Sequence, residues 1–555
     1  MSESLLSSDR LLRFGVIYPA PFVCWLSAEI RSPVQLEKIW IPLSLWVVAL
    51  LAAGKGPLRT IQVLAFLLAA VLWLLNTGRP LSDAVFSFSL LALFALTPVY
   101  RGFNPTTFRE FTAVIGTLVI LSLSLHFPWV QNRSLSTIGN YLCVLLPFSF
   151  ARRDRKAGWL MVLLPALALV LTRDLNALLV GGGCAAVFYL SAVRKFFWKA
   201  HLPGFAILVV LQPFGMRLLA AWQSLPGFVT GRALILDVVQ KELLPENWLT
   251  GVGYGGFPKV YNLAQARYLE KLDLLHQPFQ QHYLMPDNTF WAFNEYVQFA
   301  VENGVPCTLL LVGFLYYLLK KAASAVRKDE TLLKPYLALA AALGLSFFDN
   351  ALHVYLIYSI LFPSLFLLLR EAGESRWRIT PLPALLAIGA CLLWGTFAHM
   401  RWVVADQTEQ PALRIQRFRT AHAGLPQNGA FLYQYGVLLA QNGRNAEARE
   451  VLGKAKDLLP CTDVYLALGD LYRERDWKQS EHYYRTAALM VPKYLFPKYQ
   501  LFELYRAADR PADALIWADF IGRIPLKTWT NEGYIMKQEA LKYSDEARKK
   551  PGLQH

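Results

Sequence analysis

The sequence predicts an all-α chain: a polytopic membrane helix bundle with one long polar loop and a C-terminal α-solenoid. Three observations carry this. The 555 residues are 55% hydrophobic and 14% aromatic, with a mean hydropathy of +0.33, too apolar for a soluble chain of this size. Apolar runs of membrane-crossing length recur up to residue 400. Beyond Met400 the composition turns soluble and repeats itself.

The runs fall at 14–30, 39–54, 59–76, 83–100, 109–127, 136–151, 157–172, 175–193, 203–222, 291–319, 333–349, 351–370 and 379–400, about thirteen spans. The polar N-terminus, MSESLLSSDRLLR, reads as the retained flank of a first helix. Orientation follows from the excess of Lys and Arg in cytoplasmic loops. Lys55/Arg59, Arg101/Arg109, Arg152 to Lys156, Arg194/Lys195/Lys199, Lys320 to Lys328 and Arg370/Arg376/Arg378 fall on alternate loops. The loops between them carry at most two cations each. The N-terminus is therefore expected in the cytoplasm, with the 223–290 excursion and the C-terminus on the outer side. This pattern also accounts for the net charge of +16 without nucleic acid as a partner. The six Cys show no metal-ligand spacing and no disulfide framework, so no metal site is expected.

Residues 401–555 form the expected repeat domain, and 1–400 the membrane domain. Two stretches, NGAFLYQYGVLLAQNGRNAEAREVLGKAKDLLP and TDVYLALGDLYRERDWKQSEHYYRTAALMVP, share a period of about 32–34 residues. They resemble tetratricopeptide repeats, with Gly436, Ala448, Leu452, Ala455 and Pro460 on the signature positions of the first. Gly469, Tyr472, Ser480, Tyr484, Ala487 and Pro492 follow in the second, and Tyr505, Ala514 and Pro525 mark a looser third. Small residues there let paired helices approach closely, and the resemblance implies a concave surface for a protein partner or macromolecular acceptor.

Long loops between membrane helices concentrate function. This one opens with Arg232 and an amphipathic segment, LILDVVQKELL, expected to lie against the membrane face. It continues into ENWLTGVGYGGF. Glycines at 251, 253, 255 and 256 make a tight turn, and successive turn amides also suit a phosphate nest. The next helix opens with FNEYVQFAVENGVP. Glu295 and Glu302 lie seven apart and share a face. Asp349, Asn350 and His353 make another outward polar turn, where Asp349 or Asn350 suits a helix cap and His353 the lining of a cavity. Gly181, Gly182 and Gly183 within one span suit close helix packing.

GNYLCVLLPFSFA, the long outward loop, Trp248 to Phe257 and Asn294 to Gly304 together resemble the O-antigen ligase and polymerase superfamily, which includes bacterial O-linked oligosaccharyltransferases. The likeness covers roughly 110–370. It implies a metal-independent, cofactor-free glycosyltransferase in the bacterial inner membrane, with loop and repeats in the periplasm. The donor would be a polyprenyl-diphosphate-linked glycan, and the acceptor a hydroxyl on a glycan, lipid or protein.

A departing lipid diphosphate needs fixed cations, and the planar fork of Arg binds its oxygens bidentately. The resemblance implies one Arg at the outer end of a helix in 157–193 and one at the loop start, hence Arg173 and Arg232, with Arg217 near the outer end of 203–222. The family's His position holds Phe293, so the proton acceptor falls to Glu295, or to His282 or His276 in the loop. Gly253, Tyr254, Gly255, Asn294, Tyr296, Gln298, Glu302 and His353 are the expected substrate contacts. Two other classes fit the chain less well. A flippase of lipid-linked glycan would show internal pseudo-repeats, and a non-catalytic scaffold would need only the repeat domain.

Overall fold

The computed structural model describes residues 58–59, 135–150, 157–220, 227–253, 255–272, 288–353, single positions between 357 and 368, 376–377, 394, 397–524 and 531–548. In chain order the principal helices are α1 Leu135–Ser149, α2 Ala157–Leu171, α3 Leu175–Tyr189, α4 Ser191–Ala220, α5 Gly227–Val238, α6 Phe257–Lys271, α7 Glu295–Lys328 and α8 Leu333–Leu345. They continue as α9 Pro411–His422, α10 Gly429–Gln441, α11 Asn445–Leu458, α12 Thr462–Tyr472, α13 Trp477–Met490, α14 Leu495–Ala507, α15 Pro511–Arg523 and α16 Asn531–Arg548. The one sheet among the described residues is a two-residue antiparallel bridge, Leu58–Arg59 with Arg376–Trp377. The chain is all-α.

Two compact units emerge. The first comprises 1–212 and 293–397, the second 213–292 and 398–555. The 223–290 excursion thus belongs with the repeats rather than with the apolar helices.

In the first unit α1 is central and buried from Gly139 to Ser149, with Leu142, Cys143, Val144 and Leu145 at 0% exposure. A helix apolar on every side must be buried or face lipid. On the outer faces apolar side chains are uncovered: Leu163, Leu179 and Leu309 are 60% exposed or more. Among the described residues one helix, α7, is long and apolar enough to cross a membrane. A second candidate is α3 with the start of α4, bent by 114° at the break. Helices α1 and α2 have 15 residues each. The runs before residue 130, apart from Arg59, lie outside the described residues, as does most of 351–370 and 379–400. The basic segment expected as a loop at 194–199 is instead the first turns of α4. No Gly or Pro occurs there until Pro203, so nothing stops the helix.

The ends of these helices sort by chemistry. At one end Arg194 donates to the carbonyls of Val187 (3.2 Å) and Phe188, closing the C-terminus of α3, and pairs with Glu330 at 2.7 Å. Lys334 Nζ reaches the Phe148 carbonyl at 3.5 Å. The segments joined there are the basic ones. At the other end Asn140 meets Asp349 across 209 residues of chain, and the Glu295 amide donates to the Ser346 carbonyl at 2.9 Å.

In the second unit helices α10 to α15 stack as three successive hairpins, preceded by α9 and closed by α16. A Cβ at Gly436 would lie 2.5 Å from Leu452 Cγ, and one at Gly469 2.4 Å from the Tyr484 ring. Tyr484 cannot yield, being fully buried with its hydroxyl donating to Asp470. Gly469→Ala is therefore expected to destabilise this unit by about 1–3 kcal/mol through overpacking, a little relieved by helix propensity. A thermal-unfolding scan checks it. Pro525, marking the third repeat, lies outside the described residues.

The loop docks on these hairpins through side-chain amides. Asn262 Nδ2 donates to the Pro460 carbonyl at 3.0 Å, while its Oδ1 accepts from the Thr289 amide at 2.9 Å. Gln265 Nε2 donates to the Met490 carbonyl. Asn288 Oδ1 accepts both the amide and the hydroxyl of Thr462 at 3.0 Å. Asn262 is fully buried, so Asn262→Ala removes its bonds to the Pro460 carbonyl and the Thr289 amide at a cost of about 1–3 kcal/mol in all. Faster proteolysis of the 257–290 segment than in the wild type is the expected readout.

Candidate functional site

The first unit gathers its polar side chains at the end away from the basic segments. Helices α2 and α3 are joined by Thr172, Arg173 and Asp174. Thr172 Oγ1 donates to the Leu169 carbonyl at 2.6 Å, and Asp174 Oδ1 caps α3 by accepting the amides of Asn176 and Ala177. Arg173 between them is exposed and left-handed, φ 56°. A Cβ at Gly139 would lie 3.1 Å from Thr172 Oγ1 and 3.3 Å from Asp174 Oδ2. The glycine thus brings this turn against the start of α1. Next to it, Asn140 Nδ2 donates to Asp349 Oδ2 at 3.0 Å, and both residues are buried. Asn140 Oδ1 and Asp174 Oδ2 are buried atoms with no hydrogen-bond partner among the described residues. Unsatisfied buried oxygens are uncommon and call for an explanation such as a bound group.

Glu295 stands at the same end. Its Oε1 accepts the Leu352 amide at 2.8 Å, and its side chain is buried. Asn294 is the N-cap of α7, accepting the amides of Tyr296 and Val297 at 3.0 Å. Tyr296 is buried and donates to the Leu343 carbonyl at 3.0 Å. These two expected substrate contacts serve the fold directly. Gln298 Nε2 donates to Glu302 Oε1 at 3.2 Å, and both are buried one turn further in. Just below, Gly304 leaves the helix at φ 81°, ψ 160°, a kink inside α7. Its carbonyl accepts from the Thr308 hydroxyl at 2.8 Å. Phe293, directly before the N-cap of α7, has φ 50°. Left-handed backbone at a bulky residue is strained and gathers at functional sites. Arg173 and Phe293 are the two such residues described in this unit. His353 belongs to the short helical turn Ala351–His353.

The remaining expected residues belong to the second unit or lie outside the described ones. Arg232 is half-buried on α5. The amphipathic segment that follows it does not offer its apolar side to a membrane. Leu234, Ile235, Leu236, Val238, Val239 and Leu243 are all buried at 8% or less, packed with α6. Burying them against protein removes the same apolar area from water as lipid would. The helix widens to a π turn at Val239–Leu243, a feature frequent near functional sites. Within that turn, buried Glu242 is held by Lys271 at 2.8 and 3.0 Å.

In the glycine turn, Gly251, Gly253 and Gly255 have φ of 70°, 95° and 65°. A Cβ at Gly256 would lie 2.6 Å from the Gly253 carbonyl. The amides of Gly251 and Gly256 already donate to Asn247 and Gly253, which favours the tight-turn reading over an anion nest. Arg217 lies on α4, while Tyr254, His276 and His282 fall outside the described residues. Sequence reasoning missed Asn140 and Asp174. The available signal was an amide in the otherwise apolar GNYLCVLL and an Asp directly before a helix. Gly181 alone of its glycine triplet supports close packing, against Leu169, Leu146 and Cys143.

No group of three or more His, Cys, Asp or Glu side chains suited to a metal occurs among the described residues. The fold and this site define a helical chain with an apolar-faced bundle, polar at one end, and an array of helical hairpins. No protein-family model matches the chain, and no curated protein sequence matches it.

Proposed function

We propose that the chain is a membrane glycosyltransferase that moves a glycan from a polyprenyl-diphosphate carrier to a hydroxyl acceptor at the outer face of a bacterial inner membrane. In this reading about thirteen helices span the bilayer, the N-terminus is cytoplasmic, and the loop and hairpin unit are periplasmic. The observation that carries it is the polar end of the first unit. Arg173, exposed on a strained turn, belongs with buried Asp349, Asn140 and Glu295 at the end opposite the basic segments. A cation beside carboxylates, at the end expected to face outward, suits a departing diphosphate and an acceptor proton.

Arg173 would bind the diphosphate, and Arg232, in the second unit, is the further cation that the resemblance implies for it. Glu295 would take the acceptor proton, with His282 as the other candidate. Arg217, Gly253, Tyr254, Gly255, Gln298, Glu302 and His353 would contact the glycan or carrier, with Asn294 and Tyr296 supporting that wall. The hairpin unit would select a macromolecular acceptor, as stacked hairpins present extended surfaces.

The test gives membranes containing the chain a radiolabelled polyprenyl-diphosphate glycan. Release of sugar from the carrier onto an acceptor, lost in Arg232→Ala, supports transfer. Transbilayer movement without bond cleavage supports a flippase instead, and neither activity supports a scaffold.

A further inference from the structure

We propose that the hairpin unit docks onto a lipid bilayer through two apolar points of its own: the Trp248–Leu249 loop tip, and the Met400/Val404 face of helix 397–406. The docking is independent of the transfer chemistry.

The tip is apolar by construction. From Asn247 to Pro258 no side chain carries a charge, and Glu246 and Lys259 bound the stretch. Trp248 and Leu249 are 55% and 57% exposed, side by side on a turn that is firmly held. Asn247 Nδ2 donates to the Leu243 carbonyl at 3.0 Å, and the Gly251 amide to the Asn247 carbonyl at 2.8 Å. Directly after the turn, Phe257 and Tyr261 anchor its stem at 0% exposure. The tip is therefore presented rather than loose. Trp is the side chain best suited to the boundary between headgroups and hydrocarbon.

Helix 397–406 is gripped on one side only. Ala398, Trp402 and Ala405 are buried, and Trp402 Nε1 donates to Gln434 Oε1 at 2.8 Å with its ring edge-on to Phe431. Met400 and Val404, four residues apart and so on one face, are 56% and 49% exposed. This helix continues the apolar run 379–400, which has the length of a membrane span. Where that run spans the bilayer, as the membrane reading above has it, Met400 and Val404 emerge at the headgroup layer, which singles out lipid over a soluble partner as the occupant. Exposed Arg401 lies next to Met400 in sequence, suiting anionic headgroups.

The test uses the full chain in nanodiscs of phosphatidylethanolamine and phosphatidylglycerol. Nitroxide labels are placed by Leu249→Cys, Thr250→Cys and Val404→Cys. Lys454→Cys on an exposed surface of α11 is the aqueous reference, and the wild-type chain taken through the same labelling is the blank. Paramagnetic relaxation by oxygen relative to a water-soluble nickel chelate is expected to be several-fold higher at 249 and 404 than at 454, with 250 intermediate. Water-like ratios at either 249 or 404 overturn the proposal.

Discussion

Arg173→Lys and Arg232→Lys are each expected to lower glycan transfer by about 10²-fold or more, the usual cost of losing one aimed donor at a developing charge, with the melting temperature unchanged. Lys keeps the charge but not the planar fork that grips two phosphate oxygens at once. Arg173 is exposed, and its backbone is locked by the Thr172 and Asp174 bonds on either side. Exchanging its side chain therefore leaves the turn intact. Arg232 is half-buried on a helix whose apolar neighbours are fixed by α6. Transfer measured beside thermal unfolding separates the chemical effect from a structural one. A folded double variant with full activity would remove both residues from the diphosphate site.

Lys498→Met is expected to destabilise the hairpin unit by about 1–3 kcal/mol, because it strips the Lys498 donor from the buried Ala488 carbonyl and removes its further bonds to the Val491 and Tyr494 carbonyls. Lys498 is 1% exposed, and its Nζ donates to the carbonyls of Ala488 (3.2 Å), Val491 (3.4 Å) and Tyr494 (2.9 Å) at the end of α13. Helix C-termini leave carbonyls without partners, and a cation there also meets the negative end of the helix dipole.

Burial pushes the Lys498 pKa down to about 7, whereas in the unfolded chain it titrates near ~10.4. Below pH 7 the ammonium is charged in both states, so this residue gives no pH dependence. Between about 7 and ~10 the unfolded chain binds a proton that the folded one releases, so stability rises with pH, at most about 1.4 kcal/mol per unit. Unfolding midpoints at pH 6, 7, 8 and 9 should show that rise in the wild type and lose this component in Lys498→Met. An identical slope in both proteins would rule out Lys498 as its source.

The hairpins were legible because their rule is local. Gly436 and Gly469 recur at a fixed interval, and each meets the bulky residue of its own second helix, Leu452 or Tyr484. Separation of the helix ends was also legible. Alternating cations put Arg194 and the Lys320 to Lys328 cluster on one side, and the structure pairs Arg194 with Glu330, two residues after that cluster. The α5 segment shows the limit of such patterns. Its amphipathic sequence states that one side must leave water, and only the packing of α6 identifies protein rather than lipid as the cover. The Asn140–Asp349 pair lies beyond any local rule, since 209 residues separate its members.

By itself the sequence determined that this chain is helical, that much of it is apolar enough for lipid, that its basic segments alternate along the chain, and that its C-terminal part repeats. Helix periodicity, span length and repeat spacing are properties of neighbours along the backbone. Only the tertiary structure decided that the long loop belongs with the hairpins, that Asn262 and Asn288 fasten it there, and that Arg173 shares an end with Asp349 and Glu295. Those pairings depend on which surfaces meet when distant segments pack, information that no single stretch of chain contains.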